Sequence, residues 1–209
     1  MPKIILKELR SHAPFTALGA LTGIVLVLVF RRLPAETAFN VFYVLHPAHV
    51  VLSALVTASM YELYRRGRRR SRGHLLALLA IGYAGSVGIA TLSDSIIPYL
   101  GETLLGLPHR EVHIGFIEKW WLVNPLALAG IAFAYFHPTT KFPHSGHVLL
   151  STWASLFHIL MAGVAVLSFA SYLVILVFLF LSVWIPCCVS DIVFPLLFVK
   201  SDRRACSSH

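Results

Sequence analysis

Apolar residues fall into six long runs along the chain, at roughly 14–30, 39–61, 74–93, 120–136, 147–168 and 172–199. A helix needs about 20 apolar residues to cross the hydrocarbon core of a bilayer, so the pattern predicts six transmembrane helices. The last run is long and contains Pro186 and Pro195. Proline removes a backbone donor and clashes with the preceding turn, which predicts a broken sixth helix. In lipid such a break survives only where protein or a polar cavity satisfies the freed carbonyls. Segment 94–119 is the longest one predicted not to span. It holds Asp94, Glu102, His109, Arg110, Glu111, His113, Glu118 and Lys119, and its stretch 96–107 is apolar enough to re-enter or lie on the bilayer.

The polar residues inside the runs repeat. Residues 46–53 read HPAHVVLS and residues 144–151 read HSGHVLLS; residues 93–100 read SDSIIPYL and residues 190–197 read SDIVFPLL. His46 to Asp94 and His144 to Asp191 are nearly equal intervals, so an internal duplication is expected. Repeat 1 covers 12–100 and repeat 2 covers 120–199, within a single membrane domain over 1–209. Each repeat holds three predicted spans. An odd number of spans inserts the second copy upside down relative to the first, the inverted architecture of many secondary transporters. Pro14 and Gly19 against Pro125 and Gly130 extend the match loosely into the first span of each repeat. The predicted fold is therefore an all-α integral membrane protein of six helices in two inverted three-helix repeats.

Composition agrees with this reading. Apolar residues are 57% of the chain and charged residues 12%, with a mean hydropathy of +0.78; a soluble domain carries about 25% charged residues. The net charge of +8 is no nucleic-acid footprint, because it comes largely from Arg65, Arg66, Arg68, Arg69, Arg70 and Arg72 between the second and third runs. That cluster, with Lys3, Lys7 and Arg10, Lys141, and Lys200, Arg203 and Arg204, falls on one side if both termini are cytoplasmic. Arg31 and Arg32 are the dissenting pair. The first run lacks a small-residue cleavage site, so no secretory signal peptide is expected, and the predicted location is the cell (inner) membrane, multi-pass. The bilayer is the expected partner, together with a second copy in a homodimer by analogy with other small transporters, and nucleic acid is not. Cys187, Cys188 and Cys206 make no disulfide framework, and adjacent cysteines form only a strained bridge, so reduced thiols are expected.

His46 and His49 are three apart and share a helical face, which Ser53 and Thr57 continue. His144, His147, Ser151, Ser155 and His158 form the matching stripe. Pro47 suits a first helical turn, and Pro143 plays a similar part before His144, so both histidine pairs are expected at helix starts. Imidazole suits zinc, iron, nickel or copper, and a carboxylate in the bilayer needs a cation or a protonated partner. The predicted metal ligands are His46, His49, Asp94, His144, His147, His158, Cys187, Cys188 and Asp191. They would hold a divalent transition metal (Zn, Fe, Ni, Co or Mn), as one closed site or as two half-sites near opposite faces. Asp94 would lie with His46 and His49 toward the outer face, and Asp191 with His144 and His147 toward the inner. The loop set His109, Glu111, His113 and Glu118 is a candidate collection site outside the membrane. Trp120 and Trp121 suit an interfacial anchor, and Asn124 a hydrogen bond between helices.

The expected function is a small secondary transporter for a divalent transition-metal cation. The alternatives are a membrane-embedded metal-dependent enzyme acting on a lipid or isoprenoid substrate, or a membrane subunit of a larger transporter. No G-x-x-x-x-G-K-[ST] motif is present, so the chain is not expected to hydrolyse ATP itself.

Overall fold

The computed structural model describes residues 2–65, 71–139, 141–164, 167–188, 194–195 and 197–198, with side chains for all of these except 2–9, 11–12, 141–145 and 188. The described residues are helical with no strand. In chain order the helices are α1 (Pro2–Phe30), α2 (Ala35–Tyr64), α3 (Arg72–Tyr83), α4 (Ile89–Thr91), α5 (Ile97–Leu105), α6 (Gly115–Glu118), α7 (Trp120–Phe136), α8 (Lys141–Met161) and α9 (Phe169–Cys188). Two π-helical turns, Ala84–Gly88 and Leu92–Ile96, join α3, α4 and α5 into one rod over Arg72–Leu105.

Among the described residues, four helical segments are long and apolar enough to cross a membrane: Ala13–Phe30, Ala35–Tyr64, Arg72–Leu105 and Phe169–Cys187. Two further apolar helices, Trp120–Phe136 and Gly146–Met161, are shorter. At 17 residues α7 is about 26 Å long, close to the lower limit for a span.

Two expectations change. The second helix does not begin at His46. It begins at Ala35 after Pro34 and runs through Pro47 as an interior residue, so the first histidine pair sits mid-helix. The third helix does not end at residue 93. The Ser-Asp-Ser stretch lies inside the second π turn, and the rod continues through Pro98 to Leu105, where Gly106 takes the left-handed conformation that closes the helix. Pro186 lies inside α9 two residues before its last residue, Cys188, and residues 189–193 lie outside the described residues, as does the expected break in this helix beyond Cys188.

Helix α2 is central and packs mainly on α8 and α7, with α3 beside it. Its contacts give direction. His49 lies against His147 while Phe42 lies against His158, so α2 and α8 are antiparallel. Ser155 meets Ser182 while His147 meets Cys187, so α8 and α9 are antiparallel too. The main apolar core joins α1, α2, α8 and α9 through Ala20, Val27, Phe42, Leu156, Ile159, Ile175 and Leu179. A second joins α2, α3 and α7 through Ala54, Ala58, Leu78 and Ile131. Helix α7 approaches α2 closely because Gly130 has no side chain: a Cβ there would stand 2.6 Å from the Val51 carbonyl oxygen. Small residues at such crossings are the usual way helices pack without a hydrophobic driving force. Leu18, Leu21, Val25, Leu28, Val29 and Val177 are exposed on α1 and α9, an apolar surface suited to lipid.

Candidate metal centre

The polar residues that the repeat picks out are among the most deeply buried in the protein. His46, His49, Ser53 and Thr57 on α2, and His147, Ser151, Ser155 and His158 on α8, are at most 1% exposed. Helical spacing stacks each set on one face, and the antiparallel packing of α2 and α8 turns the two faces together. The second π turn adds Ser93, Asp94 and Ser95, all buried. π turns occur mostly as single wide turns at functional sites, and this one pushes a carboxylate between two histidine helices.

Asp94 is the hub. Its Oδ2 lies 2.9 Å from Nδ1 of His46 and 2.7 Å from Nδ1 of His49. Its Oδ1 accepts from the hydroxyls of Ser93 at 2.6 Å and Ser151 at 2.8 Å. Four donors on two oxygens match the acceptor capacity of an ionised carboxylate. Both imidazoles then carry their proton on Nδ1, and the Nε2 atoms of His46 and His49 are buried with no hydrogen-bond partner. Ser155 donates to the Ser93 carbonyl at 2.9 Å and fixes the wide turn to α8.

His49 stacks on His147 with ring centroids 5.8 Å apart. Ligand atoms of His49, His147 and Cys187 all lie within 4.8 Å of one another, and all three residues are buried. Two imidazoles and a thiol in a dry interior form a donor set for a borderline-soft cation. Asp94 stands behind His49 as the outer carboxylate that commonly fixes the tautomer of a metal-ligating histidine. The fit to a metal rests on Nε2 of His49, left free by Asp94 and set beside the Cys187 thiol, and on the convergence of three donors from three helices.

The cluster therefore draws on both copies of the His-x-x-His sequence motif, and the alternative of two half-sites near opposite faces does not describe it, since His49 and His147 are in contact. His46 is held by Asp94 but stacks on Phe42, and a Cβ on Gly115 would stand 2.5 Å from its ring; α6 thus caps it. His158 is apart from the cluster, paired with Glu102 at 2.7 Å. The side chains of His144 and Cys188, and the whole of Asp191, lie outside the described residues.

Of the loop set, His113 and Glu118 come together at 3.2 Å, and Glu118 also accepts from the Tyr43 hydroxyl and the Ile114 N–H. Burial alone would raise the Glu118 carboxyl, but these hydrogen bonds and the His113 charge outweigh it and hold the group below the ordinary carboxylate value. His109 and Glu111 are exposed and take no part in that arrangement. Asn124 does link helices: it accepts from Tyr83 at 3.0 Å.

Sequence reasoning missed two residues. Glu102 falls in the segment predicted not to span, yet it is 1% exposed; its spacing from Asp94 marks it only when the helix is continued past residue 93. Glu62 pairs with His74 at 2.7 Å on the other side of the molecule, a contact between neighbouring helices that no motif signals. A lateral groove lined by Tyr43, Val44, Pro47, Val51, Leu122 and Leu150 is apolar, and none of the clustered ligands lines it. No protein-family model, curated protein or solved structure matches the chain.

Proposed function

We propose that the chain is a small secondary transporter moving a divalent transition-metal cation, with His49, His147 and Cys187 as the ligands of its central site. The observation that carries this reading is the buried convergence of those three donors, one from repeat 1 and two from repeat 2, around a carboxylate-anchored histidine. Donors of this kind favour Zn, Co or Ni over Mn, because thiolate is a soft ligand and imidazole a borderline one. The antiparallel pairing of α2 with α8 supports two inverted three-helix repeats, with α7 as a short fourth span. A site at the interface of such repeats suits alternating access. The Lys and Arg distribution supports a multi-pass protein of the cell membrane with both termini cytoplasmic.

The test is flux. Purified protein in liposomes is expected to carry Zn²⁺ or Co²⁺ across the bilayer, read by an enclosed metal-sensitive dye. His49→Gln and Cys187→Ser are each expected to abolish that flux while the protein still inserts. Undiminished flux in both variants, or no flux of any of these ions in the unaltered protein, would overturn the reading.

A further inference from the structure

A second polar cluster lies outward of the first. His158 on α8 and Glu102 near the end of α5 are both about 1% exposed, with Nδ1 of His158 at 2.7 Å from Oε1 of Glu102. Nε2 of His158 and Oε2 of Glu102 are each buried without a hydrogen-bond partner. A buried polar group left unsatisfied is costly, so both atoms call for a partner. His113, in the segment before α6, sets its ring edge-on to His158 with centroids 5.4 Å apart. Its side chain is 14% exposed, and its Nδ1 faces Glu118 at 3.2 Å. Each imidazole thus has its Nδ1 engaged by a carboxylate, which turns Nε2 to the lone-pair side of the ring, and on His158 that Nε2 has no hydrogen-bond partner.

We infer that His158 and His113 form a second, outer metal-binding site, anchored from behind by Glu102 and Glu118, that takes a divalent transition-metal cation arriving from solvent. The ring separation fits. With a metal–nitrogen bond of about 2.0–2.1 Å, each ring centre lies about 3.2 Å from the ion, and a tetrahedral angle then puts the two centres about 5.2 Å apart. Two neutral imidazoles backed by two carboxylates supply net negative charge, which suits a dication. The site has no thiol, so it is a harder ligand set that holds the ion less tightly than the inner cluster, and its partial exposure through His113 leaves coordination positions for water. Phe42 separates the two: its ring is 5.6 Å from His158 on one side and 5.2 Å from His46 on the other. The outer site is therefore distinct from the inner one and stands ahead of it. Its role as a loading position rests on the transport reading; its ability to bind metal does not.

The experiment is a Co²⁺ titration of the full-length protein in detergent, followed by visible and near-ultraviolet absorption and by bound metal per chain. Cobalt at the inner cluster gives a thiolate-to-metal charge-transfer band through Cys187; cobalt at the outer site gives none. The expected result is two Co²⁺ per chain, only one of them with that band. His113→Gln, in a partly exposed segment outside the apolar core, removes the ion without the band and leaves the other, and His158→Gln does the same. In the Cys187→Ser/His147→Gln double variant the band vanishes while one ion remains bound, which upholds the outer site even if the inner one and the transport reading fail. A single Co²⁺ that carries the thiolate band, or a band-free ion that both His113→Gln and His158→Gln leave in place, overturns the inference.

Discussion

Replacing Asp94 separates what holds the protein together from what would tune a bound metal. In Asp94→Ala the four groups that bond to the carboxylate lose their acceptor. Two recover, because the Ser151 hydroxyl lies 3.2 Å from Ser93 Oγ and the Ser93 hydroxyl 3.3 Å from the Ala90 carbonyl. The Nδ1–H groups of His46 and His49 do not, since their hydrogen bonds to oxygen run to Asp94 alone. Each stranded buried donor costs about 1–3 kcal/mol, so the loss of stability is expected at about 2–6 kcal/mol. Asp94→Asn is different. Its amide oxygen still accepts from both imidazoles, and its NH₂ turns to the two serine hydroxyls, which can rotate to accept. What goes is the charge, and that loss is offset in part by the removal of a buried anion's desolvation penalty. Stability is expected to fall by about 1–2 kcal/mol or less on those terms, while metal affinity falls about 10–100-fold because His49 becomes a weaker base. Chelator competition for Zn²⁺ reads the affinity, and unfolding in a graded detergent mixture reads the stability. If Asp94→Asn binds zinc as tightly as the unaltered protein, Asp94 does not stand behind a ligand. If Asp94→Ala is as stable as Asp94→Asn, the carboxylate is not the hub of the cluster.

Cys187→Ser keeps size but replaces a soft ligand with a hard one, and is expected to weaken zinc binding at the inner cluster far more than it weakens folding, checked by the same competition. Gly130→Ala forces a methyl group against the Val51 carbonyl at 2.6 Å, so α7 and α2 must part at about 1–3 kcal/mol; Gly88→Ala, with nothing within 4 Å, is expected to be neutral or stabilising, and equal melting points for the two would refute the packing argument. Glu118 has a lowered folded-state pKa, so its contribution is present above the unfolded carboxylate value and is lost as pH falls through the folded one. Glu118→Gln should therefore lower the melting temperature at pH 7, with the gap to the unaltered protein closing as pH drops below the carboxylate range; a gap independent of pH would refute that assignment.

The duplicated motif led to the centre of the protein. His46, His49, Asp94 and His147 are all in or against the cluster, because a polar stripe in an apolar chain has few places to be buried. The helix limits were less legible. Pro47 reads as a start, but a helix tolerates proline inside when its neighbours pack tightly, as α7 and α8 do here. The Ser-Asp-Ser stretch reads as the end of a span because hydropathy drops there, and a π turn has no signature in residue spacing. That error hid Glu102. The meeting of His49 with His147 was one of two readings, and only the antiparallel packing of α2 against α8 decides it.

The wide turn at Leu92–Ile96 also sets the phase of everything after it. Asp94 and Glu102 are eight positions apart, which on an unbroken α-helix, at about 100° per residue, points them about 80° apart around the axis. The turn, in which Ile97 N–H bonds back to the Leu92 carbonyl, absorbs an extra residue, and the divergence shrinks toward about 20°. Ser151 and His158, the residues these carboxylates touch on α8, are seven apart and diverge by about the same angle. The rod and α8 therefore run in step, like two gears cut to one pitch. Converting 92–96 to ordinary α-helix with no residue removed would turn Glu102 about 80° from Asp94 and out of mesh with His158, whereas removing Ile96 along with the wide turn would keep the two in phase.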